Sequence, residues 1–234
     1  MTEDEEIEAR LRAVRAKRGF LLPHHGLLAI TSQKMLDAYD AAYTELALAP
    51  RVLSPHDREF VWLAILIATD EALATHHIAK FVAAGGDDAE VAVAIRLTAW
   101  ALGARAYDFV QAHWVRHLPG LDIVASYRDG LLRNAEQVAP RIAIPAAASV
   151  HAARGDWWLL RQAILLAYAE AVPELELAEA ISLMMFPGSV PRFVEAAGVW
   201  LTLIREGQVS PSPIFAAWAR LQGQGGFDEA SGKS

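Results

Sequence analysis

The chain has 234 residues, 54% of them hydrophobic, a formal net charge of −7 and no cysteine. That length permits one large core or two small ones, and the acidic balance argues against a nucleic-acid partner, because phosphate contacts need a basic surface. The absence of cysteine excludes disulfides, thiolate nucleophiles, cysteine-type zinc sites and thiol redox chemistry.

Alanine and leucine dominate, and Val/Thr runs and Asn-Gly or Asp-Gly turns are few, so an all-α fold is expected. Residues 3–18 place Ile7, Leu11 and Val14 on one helical stripe and stop at Gly19. There an acidic run, Glu3 to Glu8, precedes Arg10, Arg12, Arg15, Lys17 and Arg18, the order a helix dipole favours, which predicts a solvated helix rather than a binding arm. GFLLPHHGLLAIT reads as a connector and residues 32–47 as a second helix. At SPHD, Ser54 suits an N-cap, Pro55 the first turn, and Asp57 a capping box, which opens a helix to about Ala68. A further helix is predicted over 70–84, ended by Gly85-Gly86. Asp87 and Glu90 form a capping pair that opens a long helix to about Leu118, broken by Pro119-Gly120.

Residues 122–137 are helical in pattern, 145–153 form a short alanine-rich helix, and Gly155-Asp156 is a break. Helices over 157–171, 174–185 and 190–206 follow, and the tail QGQGGFDEASGKS is expected to be disordered. The longest charge-free apolar runs, such as VWLAILIAT, reach about half the length needed to span a bilayer. No signal-peptide core is visible at the acidic N-terminus, so a cytoplasmic protein with no membrane partner is expected.

AILIATDEA (64–72) matches AILLAYAEA (163–171), and in each half an apolar helix, a second helix, a glycine turn and a third helix follow one another. This predicts two pseudo-symmetric helical repeats: an N-terminal helical extension over 1–52, a first repeat over 53–120, a degenerate second over 121–222, and the tail from 223.

An acidic residue in LSPHDREFVWLA, a histidine about eight residues before a glycine (His77 to Gly85), and an acidic-capped helix ending in WALGA together resemble the carboxymuconolactone decarboxylase family, which includes the AhpD-like alkylhydroperoxidases. The resemblance centres on residues 53–117, with residues 140–206 as the second copy. It implies the AhpD-like helical fold, homo-oligomers (here dimers or trimers of tandem chains), and Glu59 as the family's acidic residue. The redox branch carries a Cys-x-x-Cys pair before its histidine; here those places hold Asp70 or Glu71, and Leu73 or Ala74. Peroxidase chemistry is thus excluded. What the resemblance leaves is cofactor-independent acid/base lyase or isomerase chemistry on a small carboxylated lactone or keto acid.

Projection of 70–84 as a helix gathers Leu73, Ala74, His77, Ile78, Phe81, Val82 and Ala84 on one face, so His77 is expected to be buried or to face a pocket. His76 lies at the boundary near Lys80. Asp70 lies in line with His77, roughly 10 Å away along the axis. Glu71 marks the edge of the stripe and recurs as Glu170. The candidate catalytic residues are His77, Glu59, Glu71, His76 and Asp70. Opposed to this is a core histidine satisfied by a backbone carbonyl or carboxylate, with Asp70 as an N-cap.

An anionic substrate would want a cation, for which Arg58, Lys80, Arg96 and Arg105 are candidates. No cofactor and no metal is expected. A weaker reading joins His24-His25 with His76-His77, or uses His113 and His117, as metal ligands, but no H-E-x-x-H motif is present. Ser149 and Ser189 lie in nothing like G-x-S-x-G. Trp157, Trp158, Trp200 and Trp218 fit core or subunit-interface positions. The remaining alternative is a non-catalytic oligomeric binding or scaffold protein of the same fold.

Overall fold

The structure is a computed structural model that describes residues 2–224. The described residues form helices and no strand, in two compact units, Met1–Pro50 and Arg51 onward. Among them no helix is long and apolar enough to cross a membrane. From residue 225 the tail expected to be disordered lies outside the described residues.

The N-terminal unit starts with α1 (Glu3–Arg18), opened by a reciprocal Thr2–Glu5 capping box and closed at Gly19 in the left-handed region. The expected connector contains a helix, α2 (Pro23–Thr31). Pro23 is its first residue, a place where the missing N–H costs nothing; PHHG is a start rather than a break. The second expected helix is α3 (Gln33–Tyr43), continued by one wider π-turn, Thr44–Leu48. Val14, Ala29 and Leu36 form the core of this unit, with Ile7, Leu11 and Leu28 packed against it. The basic end of α1 is not merely solvated, since Lys17 and the buried Arg18 side chain both reach Asp40 at 2.7 Å.

The second unit is built on α4 (Pro55–Ala68) and α9 (Pro140–Arg154), which pack extensively on each other. Ser54 Oγ accepts the Asp57 N–H at 3.1 Å, so the expected N-cap forms. Asp57 does not close the box: its carboxylate faces His56 (3.3 Å) and Arg141 (3.7 Å) instead. From Asp57 to Leu66 every residue of α4 is buried, and so is every residue of α9 from Ala143 to Ala153. A helix covered on all sides shows no amphipathic period, which is why α9 read as a short alanine-rich segment.

Around these two run α5 (His76–Ala83), α6 (Asp88–Gly103), α7 (Arg105–His113), a 3-10 turn at Val115–His117, α8 (Ile123–Ala135), α10 (Trp157–Ala169), α11 (Glu174–Leu183), α12 (Val190–Arg205) and α13 (Pro213–Arg220). The long helix expected to reach Leu118 stops at Gly103, a residue of low helix propensity, and the chain restarts as α7. Its Asp87–Glu90 capping box is present, at 2.9 and 3.3 Å. Trp200 is buried; Trp157, Trp158 and Trp218 are half-buried.

The expected 70–84 helix is wrong at its N-terminal end. Asp70 is no N-cap; it is the left-handed residue (φ +56°) that closes α4. The Glu71 N–H reaches back to Leu66 O at 3.0 Å and the Asp70 N–H to Ile67 O at 3.4 Å, a Schellman closure. The α5 helix therefore starts only at His76. Glu71 and Glu170 do not correspond either, because Glu170 is the C-cap of α10 and Glu71 lies two positions beyond the C-cap of α4, Thr69.

At the other end of α5 two glycines serve different needs. Gly85 takes φ +94°, and a Cβ on Gly86 would stand 2.3–2.5 Å from three ring carbons of the fully buried Phe81. Gly86→Ala is expected to destabilise the protein by about 1–3 kcal/mol, the usual cost of overpacking a filled core. Urea denaturation checks this, and an unchanged midpoint would show that Phe81 has room to move.

Candidate active site

Glu59 stands one turn into the all-buried α4, and His77 is the second residue of α5. The two helices pack together, and the His77 Nδ1–H donates to Glu59 Oε2 at 2.6 Å, with both side chains 2% exposed. A carboxylate so far from water requires a partner, and the histidine is that partner. Arg58 adds positive charge beside the same carboxylate, with its Nε 3.9 Å from Glu59 Oε1. The Trp62 ring stacks on His77 with centroids 4.5 Å apart, and the His76 ring lies 4.3 Å from His77. The indole N–H of Trp62 is buried and meets no hydrogen-bond acceptor among the described residues.

His76 is half-buried at the edge, as the projection placed it. Burial, then the His77 and Lys80 charges, push its pKa down to about 4. Lys80, one turn further along α5, is also half-buried. Burial lowers its pKa, Glu59 opposes that shift, and Arg58 adds to it. Of the four cations named from the sequence, Arg58 and Lys80 stand at this pair. Arg96 is committed to Glu136 and the Asn134 carbonyl, and Arg105 to Asp156.

Asp70 and Glu71 belong to a neighbouring place. They help line an open, mainly apolar cavity of about 520 Å³ walled by Leu63, Leu66, Ile67 and Ile78 among others. Ile78 faces this cavity; His77, Glu59 and His76 are not among its walls. Glu71 Oε1 accepts the Leu73 N–H at 2.9 Å and so holds the turn that leads into α5. The apolar stripe also divides. His77 and Phe81 are buried, whereas Leu73, Ile78 and Val82 are 66%, 48% and 56% exposed. The five candidates thus resolve into a buried Glu59–His77 pair flanked by His76, and a separate Asp70–Glu71 rim.

No family model, curated protein or solved structure matches the chain.

The other histidines have their own surroundings. In the N-terminal unit, His25 Nδ1 accepts the Leu22 N–H at 2.9 Å, its Nε2 lies 2.8 Å from Arg18, and both His24 and His25 contact the Tyr39 ring. His113 ends α7 while His117 lies in the 3-10 turn, so the two do not share one α-helix face. Among the described residues no three His, Asp or Glu side chains come together as a metal site.

Two arrangements escaped the sequence reading. His56 bridges Glu90 (3.1 Å) and Asp57 (3.3 Å); burial alone would lower its pKa, but these two carboxylates outweigh burial and raise it. His151, in the last turn of α9, meets the Tyr127 hydroxyl at 2.9 Å and is fully buried, which pushes its pKa down to about 3. SPHD did show His56 near an acidic cap, but only a tertiary contact brings Tyr127 to His151.

Proposed function

We propose that the protein is a cofactor-independent acid/base catalyst of the decarboxylase-like kind, acting on a small carboxylated lactone or keto acid. The observation that carries this reading is the 2.6 Å Glu59–His77 bond inside a site shielded from water. The carboxylate holds the Nδ1–H and fixes the ring, which leaves Nε2 as the atom that gives or takes a proton. Arg58, whose Nε lies 3.9 Å from Glu59, adds the positive charge that a substrate carboxylate needs, and the unmet indole N–H of Trp62 is a donor for a carbonyl oxygen that gains charge.

A tandem arrangement supports one such site per chain. Pro140 opens α9 and Gly155 closes it in the left-handed region at the same interval as Pro55 and Asp70 in α4. α4 packs on α5 and α6 as α9 packs on α10 and α11. In that frame the places of Glu59 and His77 are taken by Ile144 and Gln162. These intervals support drawing the proposed repeat between α4–α6 and α9–α11.

The test is turnover of a panel of β-keto acids and muconolactone-like lactones by wild type and His77→Ala. A substrate turned over by wild type and slowed about 10²–10⁴-fold in the variant supports the reading. Equal rates remove His77 from the chemistry. The non-catalytic alternative draws on the exposed Leu73, Ile78 and Val82, whose partner would be a second copy of the chain in a homo-oligomer. It is favoured if no panel member reacts and sedimentation gives an oligomer that Val82→Lys dissociates.

A further inference from the structure

Among 21 basic residues only Lys17, Lys34, Lys80 and Lys233 are lysines. Arginine is the chain's ordinary cation, and it cannot shed its proton. Lys80 is thus one of few places where a cation can become a nucleophile. It is half-buried, three residues after His77 on α5 and so on a neighbouring part of the same face. The residues one turn before it are His76 and His77, not the acids that usually pair with a surface lysine. Glu59, the carboxylate whose charge it feels, is bonded to His77 instead. Among the described residues no hydrogen bond or ion pair holds the Lys80 ammonium.

We propose that Lys80 is the nucleophile of this site, capturing the ketone of a β-keto acid as an iminium while His77 manages the proton on carbon. The proposal rests on the decarboxylase-like reading above and narrows it to keto acids. The neutral amine attacks the ketone carbon, the C=O bond opens, and the oxygen leaves as water after proton transfer. The C–C bond to the carboxylate then breaks. Its electron pair moves into the iminium to give an enamine, and carbon dioxide departs. The enamine carbon takes a proton from His77, water adds to the new iminium, and the ketone and the free amine are released. The net reaction consumes one proton per carboxylate and needs no oxidant or reductant. Partial burial and the Arg58 charge both favour the neutral amine this requires.

The experiment is incubation of the full chain with acetoacetate followed by borohydride reduction, with the modified peptides mapped by mass spectrometry. The expected result is an isopropyl adduct on Lys80, with Lys17 and Lys34 unmodified, and its loss in Lys80→Arg. That variant keeps the charge, and far-UV circular dichroism would show it folded. Decarboxylation that depends on His77 but leaves Lys80 unmodified would overturn the nucleophile and leave the acid/base reading standing. Adducts spread over all lysines at rates matching free lysine would overturn it as well. Neither turnover nor adduct with acetoacetate or the wider keto-acid panel would remove both.

Discussion

Glu59→Ala is expected to destabilise the protein by about 3–5 kcal/mol, because it removes one member of a buried pair and leaves the His77 N–H without an acceptor. Glu59→Gln should behave differently. Its amide oxygen can still accept from Nδ1 in the same space, so the loss should be about 1 kcal/mol, the difference between a charged and a neutral hydrogen bond. Catalysis distinguishes the two further. Glutamine lacks the negative charge that stabilises the imidazolium formed when His77 takes a proton. On whichever substrate the wild type turns over, Glu59→Gln should lower kcat by about 10²-fold or more with little change in KM. Glu59 touches His77 rather than substrate, so it is a positioning residue, and a purely structural role would not produce that split. Urea denaturation and steady-state kinetics on both variants check the two halves. A Glu59→Gln protein with wild-type kcat would reduce the pair to a core contact.

Glu59 and His77 could be picked out as candidates from the sequence, Glu59 through the resemblance and His77 through its place on the apolar stripe, and each helix carries one mark that sets its phase. Ser54-Pro55 sets the start of α4 and hence the phase of Glu59, and Gly85-Gly86 sets the end of α5 and hence the phase of His77. The start of α5 carries no such mark. Residues 69–75 contain nothing that forbids a helix, and Asp70 looks like a cap; the decisive event is a left-handed turn that only the closure onto Leu66 reveals. Projection has a second limit, because it identifies an apolar face without showing what covers it. Phe81 and Val82 are neighbours on one stripe, yet one is fully buried and the other more than half exposed. The likeness of 64–72 to 163–171 sets Glu71 against Glu170, which the structure separates, for a related reason. Apolar helix ends repeat one composition, whereas the left-handed residues that close them, Asp70 after α4 and Ala171 after α10, stand two positions out of register with that likeness.

Acid is expected to weaken the wild type more steeply than a His151→Leu variant. In the folded protein burial holds the His151 pKa at about 3, against 6.5 when exposed. The unfolded chain therefore binds the extra proton throughout the window from pH 6.5 to 3. The stability tied to a neutral His151 is fully present above pH 6.5 and is lost as the pH falls, by about 1.4 kcal/mol per unit. By pH 4.5 the wild type should have lost about 3 kcal/mol that the leucine variant has not. His25 and His76, both pushed down to about 4 mainly by burial, act in the same direction in both proteins, so the difference in slope isolates His151. Urea midpoints at pH 7.5, 6, 5 and 4.5 measure it, and parallel slopes would overturn the assignment. Tyr127→Phe removes the hydroxyl that meets the ring but not the burial, so it should keep the steep slope; a flattened slope would mean that the hydrogen bond, not the core, keeps His151 neutral. The comparison also bears on the proposed catalytic pair, since an acid loss of any activity in the wild type would mix unfolding driven by His151 with protonation at the site, and the His151→Leu background removes the first.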